Sequence, residues 1–492
     1  MVNLYLVPYP KQVTITGGQT LPDAKIVEYE TDVLKKEAYR LMISPREICI
    51  EGDKAGIFYA HVTLKQLRIQ FGDRLPCMEI EDEPRFAHRG FMLDSSRHFL
   101  PKEDVLQIIE VLALFKINRL HWHLIDDQGF RVEISAFPKL TEIGGKRGRS
   151  HFGLVDEHKN NSGYFTKEDI REIVAYAKER MIEIIPEIEI PGHESAMLAA
   201  YPEIGCGSVP VEVVTTGGIF DNLICAGKEE SFTFVTQILD ELIELFPYEM
   251  IHIGGDEACK RKWRVCPDCQ RKIRELGLKD ENALQQWFVI RVQEYLKSKG
   301  KTAVVWNDSL RGEKLPTDCV VQMWMGDRDL IEEFAGRGGK IIQSSTESFY
   351  LDYPYAMWDV HKILNFELCP LFLEESAIIG VECPMWTERI SDMDRVFYQI
   401  LPRLPAMAEC GWTAKEARNN DSFDCRYVSI EEYLQTQNIY GAPREYWNMS
   451  PQLAQMDMKD HERSVYTLEN TAEFERQEAM MAQERAIYGD ER

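Results

Sequence analysis

Positive charge is scarce in this chain. Its 57 Lys and Arg stand against 81 Asp and Glu, a formal net charge of −24 over 492 residues. Nucleic acids and anionic membrane surfaces are held by clustered Lys and Arg, so neither is an expected partner. No apolar run approaches the roughly 20 residues that a membrane-spanning helix needs. The opening stretch, MVNLYLVPYPKQ, lacks the basic start, apolar centre and small-residue cleavage site of a secretory leader, and the expected location is the cytoplasm. Cysteine is not scarce, with 12 residues, but they are scattered, and Cys225, Cys319 and Cys383 lie in apolar stretches. That is the pattern of reduced core thiols rather than of a disulfide framework. Cys266 and Cys269 in CPDC, with Cys259 upstream, could ligate zinc, yet a structural site takes four ligands and no second pair follows at finger-like spacing. The expectation is neither a metal nor a cofactor.

What the chain has is alternation. Residues 1–83 mix short strand patterns (QVTITGG, REICIEG) with the helical FYAHVTLKQLRIQFG, which reads as a small α/β domain. EDEPRFAHRG then marks a junction. From 84 to 414, nearly continuous apolar runs recur: GFMLD, RLHWHLID, IEIIPEIEI, MIHIGGDE, TAVVWND, CVVQMW, KIIQSST and AIIGVECPMW. Strands buried on both faces read this way. Between many of them lie segments of helical period. PKEDVLQIIEVLALF carries proline in its first turn, and TKEDIREIVAYAKERM opens on a capping pair, Thr166 and Asp169. The pattern predicts a (β/α)8 barrel, with an open doubly wound sheet as the alternative. The absence of Gly-x-Gly-x-x-Gly after the first strand counts against that alternative. Residues 415–492 are polar and helix-prone, a predicted helical C-terminal extension whose last stretch, EFERQEAMMAQERAIYGDER, reads as an exposed helix. Pairing of two copies through these helices is compatible with the pattern.

In a barrel of this kind, chemistry sits where strands end and loops begin. Those positions hold Asp94 and Arg97; Asp126 and Asp127; Glu187, Glu189 and His193; Asp256 and Glu257; Trp306 and Asp308; Trp324; Tyr350 and Asp352; and Trp386 and Glu388. One rim thus gathers carboxylates, an arginine, a histidine and three tryptophans. Indole faces stack on the apolar side of a pyranose, while its hydroxyls need placed polar partners, so the set points to a sugar.

HRGFMLDSSRHFLP, HWHLIDDQGFR, PEIEIPGH, HIGGDE, the tryptophans of the fifth and sixth strands, YLD and MWTE resemble, in order and spacing, the motifs of family 20 of the glycoside hydrolases, the β-N-acetylhexosaminidases. The likeness runs from about residue 84 to 413, and PYPKQ with the first domain resembles that family's non-catalytic N-terminal domain. The resemblance implies an exo-acting enzyme that removes terminal β-linked N-acetylhexosamine, GlcNAc and/or GalNAc, from glycans. It also implies a role for the adjacent acids. A conventional retaining glycosidase needs two carboxyl groups about 5–5.5 Å apart across the anomeric carbon, and sequence neighbours are poorly placed to flank a ring. Family 20 uses the substrate's own 2-acetamido group instead. On that pattern Glu257 is the general acid and later the base. Asp256 steers the acetamido N–H, and Tyr350 binds its carbonyl. Asp126 and His193 support Glu257. Arg97, Asp352 and Glu388 hold hydroxyls, and Trp306, Trp324 and Trp386 form stacking walls. Gly254 and Gly255 could relax the strand alternation that would otherwise point neighbouring acids to opposite faces. Asp94 and Arg89 read as structural. Two positions depart from the family: Glu189, where Asp is frequent, and Cys383, where a small residue is usual.

Two other functions fit these residues less well. His121 and His123 alternate on one strand, as in metal amidohydrolases, but that pair belongs on a first strand and these lie on the second, upstream of its end. A non-catalytic sugar-binding barrel would be expected to have lost its acid, and both acids are present.

Overall fold

The computed structural model describes residues 3–152, 155–157, 160–312 and 314–465. The N-terminal segment forms a five-stranded sheet of β1 (Gln12–Gln19), β2 (Lys25–Glu30), β3 (Tyr39–Ile43), β4 (Glu47–Gly52) and β5 (Pro76–Asp82), in the order β1-β5-β3-β4-β2. Helix α1 (Lys54–Phe71) starts where Asp53 accepts the Gly56 N–H at 2.7 Å, and stops at Gly72, whose φ of 67° suits glycine. Its buried Tyr59, Ala60, Leu64 and Leu67 pack on Leu41, Ile43, Ile50 and Met78 of the sheet. The apolar patterns locate β1, β4 and α1. They do not mark β2, β3 or β5; β2 is an edge strand exposed along nearly its whole length, with no buried face to generate a period, whereas β3 and β5 do alternate but are only five and seven residues long.

The apolar runs of the middle segment form a closed barrel of eight strands: β6 (His88–Asp94), β7 (Arg119–His123), β8 (Glu183–Glu187), β9 (Met250–His252), β10 (Thr302–Trp306), β11 (Val320–Met323), β12 (Lys340–Gln343) and β13 (Ile378–Met385). All eight neighbouring pairs are parallel, and β13 closes onto β6 with Gly380 opposite His88. The fold is the (β/α)8 barrel. Its outer helices include α2 (Lys102–Leu114), α3 (Lys167–Glu179), α4 (Glu229–Leu245), α5 (Pro267–Leu276), α6 (Glu281–Ser298), α7 (Arg328–Gly336) and α8 (Arg403–Trp412). Thr166 and Asp169 cap α3 reciprocally, as their spacing predicts.

Two strands stop earlier than their apolar runs. β7 ends at His123, and Asp126 lies in a short hairpin with Gly129. β9 ends at His252, so Asp256 and Glu257 belong to a loop. Beyond the barrel, α9 (Asn420–Thr436) buries Phe423, Tyr427, Ile430 and Leu434 in the barrel's core cluster. Arg426 on α9 makes a bidentate pair with buried Glu409 at 2.8 and 2.6 Å, and donates to the Leu6 carbonyl at 2.6 Å. This ties the extension to the start of the chain. Helix α10 (Pro451–Val465) follows; the expected terminal helix over EFERQEAMMAQERAIYGDER lies outside the described residues.

Candidate active site

The loop after β9 is shaped by two glycines. Gly254 and Gly255 have φ of 64° and 106°, and a Cβ on Gly254 would sit 1.8 Å from Glu189 Oε2 while one on Gly255 would sit 2.1 Å from Ser309 Oγ. No other residue fits either place. The Gly254 N–H donates to His252 Nδ1 at 3.0 Å, the Trp306 N–H donates to the Gly254 carbonyl at 3.0 Å, and Gln285 donates to the Gly255 carbonyl at 2.7 Å. The chain thus turns at the end of β9 with its backbone pinned, and Glu257 is held at a φ of 43°. Such left-handed backbone in a non-glycine residue costs on the order of 1–3 kcal/mol, which the surrounding contacts must offset.

His193 brings the acids together. Its Nε2 lies 3.8 Å from Asp256 Oδ2 and 3.7 Å from Glu257 Oε2, and its Nδ1 lies 3.2 Å from Asp126 Oδ1 and 3.3 Å from Asp127 Oδ2. His193 also has a left-handed φ, 54°, in the PGH turn, where Gly192 packs so near the acid loop that a Cβ would lie 3.2 Å from the Asp256 carbonyl oxygen. Burial raises the pKa of Asp256 to about 7; the His193 cation opposes this, and the charges of Glu257 and Asp308 add to it. Burial likewise raises Glu257, against His193 and with Asp308. Burial pushes Asp126 up too, but Arg97, His193 and His123 outweigh it and hold its carboxyl well below the usual range. Asp126 is therefore the anion that keeps His193 charged beneath the acid pair.

Arg97 links this cluster to the aromatic side of the rim. Its guanidinium meets Asp126 at 2.8 Å, Gln128 at 2.8 Å and Asp94 at 3.3 Å, reaches within 3.9 Å of Glu388, and lies 4.9 Å over the Trp386 ring. From Trp386 the aromatic wall continues to Tyr350 at 6.5 Å and on to Trp324, stacked on Tyr350 at 6.3 Å. Asp352 carries a pKa raised to about 7 by burial and by the Glu388 charge. All the residues selected from the sequence gather here. Trp306 is 1% exposed, its indole N–H donates to Glu187 at 2.8 Å, and its ring lies 6.2 Å from that of Trp386. Cys383 is buried in the barrel's apolar core cluster.

Several residues that the sequence places at strand ends or on strands have partners that it does not reveal. Asp308 accepts the Trp324 N–H at 2.8 Å and pairs with Arg311 at 2.8 Å, so it orients one wall and adds negative charge beside both acids. Below the rim, Glu382 joins His88 at 2.9 Å to His121 at 2.7 Å. Glu187 joins His121 at 3.1 Å and His252 at 2.7 Å, and also meets His123, which reaches Asp126 at 2.9 Å. The His121 and His123 pair is thus consumed by carboxylates inside the barrel. Burial alone would lower these imidazoles, but the glutamates outweigh it and raise them to about 9 and 10. Sequence offers one faint signal for this ladder, a set of polar residues inside runs that are otherwise apolar.

The site sits on a chain with many relatives. The catalytic-domain model of glycosyl hydrolase family 20 matches residues 86–415, and the family's domain 2 matches residues 10–83. A β-hexosaminidase of Porphyromonas gingivalis is 36% identical over 80% of this chain, which spans 53% of that protein's length. One of Akkermansia muciniphila is 34% identical over 89% of this chain and 91% of its own. A solved family 20 exo-β-N-acetylglucosaminidase of Vibrio harveyi, bound to N-acetylglucosamine, superimposes with a TM-score of 0.80 at 28% identity, covering 91% of this chain and 80% of that one. The chain therefore belongs to glycosyl hydrolase family 20 and is a glycoside hydrolase of the β-hexosaminidase kind.

Proposed function

We propose that the protein removes terminal, non-reducing β-linked N-acetylhexosamine, GlcNAc and/or GalNAc, with retention of configuration and with the substrate's acetamido oxygen as nucleophile. The observation that carries this reading is the placement of the two acids. Asp256 and Glu257 are chain neighbours, both within 3.8 Å of one imidazole nitrogen, on one side of the rim. Two groups so placed can serve one oxygen and one amide on the same side of a sugar; they cannot flank an anomeric carbon from opposite faces.

In the first step Glu257 gives its proton to the glycosidic oxygen, the C1–O bond breaks, and the acetamido oxygen closes on C1 to form an oxazolinium ring. Asp256 accepts a hydrogen bond from the acetamido N–H and faces the positive charge that forms there, and the Tyr350 hydroxyl donates to the acetamido oxygen. In the second step Glu257, now ionised, takes a proton from water as the water oxygen attacks C1 and the ring reopens. Burial raises both acids, so the pair holds a proton more firmly than exposed carboxylates would, and the first step needs that proton on Glu257. Arg97, Asp352 and Glu388 are assigned to the sugar hydroxyls, and Trp324 and Trp386 to its apolar face. The Vibrio harveyi structure, an exo-acting relative with N-acetylglucosamine bound, supports that substrate class.

Proton NMR of an early time point on an aryl β-N-acetylglucosaminide checks the stereochemistry. The β-anomer should form first; the α-anomer as first product ends the proposal. Asp256→Asn should lose far more rate on acetamido substrates than on a 2-hydroxy analogue, and equal losses would remove the amide from the mechanism. Rates on the gluco and galacto epimers, measured together, sort the two sugars.

A further inference from the structure

Four cysteines from three separate stretches converge beside the loop that carries the acid pair. Cys206 lies in a short turn after β8, Cys225 in the extended stretch before α4, and Cys266 and Cys269 on the first turn of α5. The Sγ atoms of Cys206 and Cys269 are 3.8 Å apart, those of Cys225 and Cys266 3.7 Å, and those of Cys225 and Cys269 3.5 Å. All four lie within 4.8 Å of one another. A disulfide needs about 2.05 Å, and all four thiols are free. A tetrahedral zinc site with Zn–S of about 2.3 Å has S–S edges of about 3.8 Å, the zinc–sulfur length multiplied by about 1.63. Three of the six sulfur–sulfur edges, at 3.5 to 3.8 Å, already have that size, and the other three lie within 4.8 Å.

The surroundings are built to hold it. Cys266 is the residue before α5 and Pro267 is its first helical position, which leaves Cys266 and Cys269 on one side of the first turn. A Cβ on Gly227 would sit 2.2 Å from the Asp268 carbonyl carbon and 2.4 Å from the Cys269 nitrogen, so only glycine lets the chain after Cys225 lie against that turn. Lys228 fastens the Cys206 segment by donating to the Glu203 and Gly205 carbonyls at 2.8 and 2.7 Å. The Trp263 N–H donates to the Ile224 carbonyl at 3.1 Å. Cys225, Cys266 and Cys269 are buried and Cys206 is half-buried. Ordinary core thiols gain nothing from meeting four at a time, whereas a thiolate shell needs this number. Cys259, which CPDC suggested as a partner, is not in the cluster; Cys206 and Cys225 supply the missing ligands.

We propose that Cys206, Cys225, Cys266 and Cys269 bind one zinc ion as a closed, structural tetrathiolate site. With four protein ligands there is no open position, so the ion takes no part in hydrolysis. What it joins is the chain running out of the acid loop, which reaches Cys266 after Glu257, and the stretch before α4. That stretch touches the site through Asn222, which donates to Ser195 at 2.9 Å and accepts from Lys262 at 2.7 Å; Ser195 in turn donates to Asp127 at 2.5 Å. The zinc staples the two loops that present Glu257 and His193.

Metal analysis by plasma mass spectrometry on the full chain, as purified, should find one zinc per chain. Cobalt substitution should give the thiolate charge-transfer and tetrahedral d–d absorption of a four-sulfur site, a readout that needs no variant. Cys225→Ser and Cys269→Ser should lose the zinc, and Cys259→Ser should keep it. A metal-free protein whose four thiols react freely in the native state would overturn the assignment. So would stoichiometric iron, a disulfide among these cysteines by mass spectrometry, or zinc retained by both serine variants.

Discussion

At the N-terminal end of the barrel, Lys116 lies between Asp82 at 2.9 Å and the Tyr39 hydroxyl at 3.0 Å, with its ammonium 4.3 Å over Trp412, whose own N–H reaches Asp82 at 2.9 Å. Beside it Arg89 pairs with Glu37 at 2.9 Å and donates to the Lys116 and Phe86 carbonyls. At the C-terminal end the balance is reversed: Arg97 and His193 face Asp94, Asp126, Asp127, Asp256, Glu257 and Glu388. There Asp256 Oδ1, Asp352 Oδ1 and both oxygens of Glu189 and of Glu194 are buried with no hydrogen-bond partner among the described residues. Two buried polar networks on one scaffold thus differ in kind. The lower one matches cation to anion and fastens the N-terminal sheet to the barrel. The upper one holds surplus acid, which is costly in the resting protein and worth keeping where a substrate's hydroxyls and amide complete the hydrogen bonds.

Glu257→Gln should separate the two networks most strongly. Removing a positioned acid should lower kcat by roughly 10²–10⁴-fold, while leaving groups that need no proton lose much less in the first step. Thermal stability should not fall. Lys116→Met should do the converse. It leaves Asp82 buried without its cation and should cost about 3–5 kcal/mol in denaturant unfolding, with kcat of the folded fraction unchanged. A large kcat loss in Lys116→Met would mean the two ends are coupled, not separate.

Asp256→Asn tests the claim that the upper network carries a stability cost. Asp256 has a folded pKa of about 7, above the value near 4 of an exposed aspartate. The folded protein then binds a proton that the unfolded chain has released, so stability falls as pH rises between these values. Asparagine removes the titration. The variant should match the parent near pH 4 and exceed it above pH 7, by on the order of 1–3 kcal/mol, while losing activity. A variant less stable at pH 8 would show that Asp256 is paired more fully than its partners suggest.

How far the sequence goes follows the same division. The eight barrel strands are legible because burial on both faces writes continuous Val, Ile and Leu, and the rim follows once strand ends are known. The two glycines mark where β9 gives way to the loop, but not that the strand already stops at His252, since Ile253 continues the apolar run. The His–Glu ladder is hidden because HWH and a lone Glu382 read as interruptions, and their pairing is across strands rather than along them. The same holds for the cysteines: CPDC is local, but Cys206 and Cys225 arrive from another loop. Trp306 was placed at the right strand end, yet which way its ring turns depends on Glu187, a neighbour two strands away around the barrel.

The smallest effect separates charge from contact within the upper network. Asp308 raises both Asp256 and Glu257 by its charge while holding the Trp324 N–H and Arg311. Asp308→Asn keeps an oxygen for the Trp324 N–H, and Arg311 retains Asp327 at 2.9 Å, so the wall should stay in place. Only the charge is removed. With one fewer anion nearby, both acids should ionise more easily, and the limbs of the pH profile of kcat/KM should move to lower pH by a fraction of a pH unit, with the optimum rate little altered. A profile that keeps its limbs while KM rises would make Asp308 a support for Trp324 alone, and the surplus of acid at this end would then owe its pKa values to burial rather than to the crowding of carboxylates.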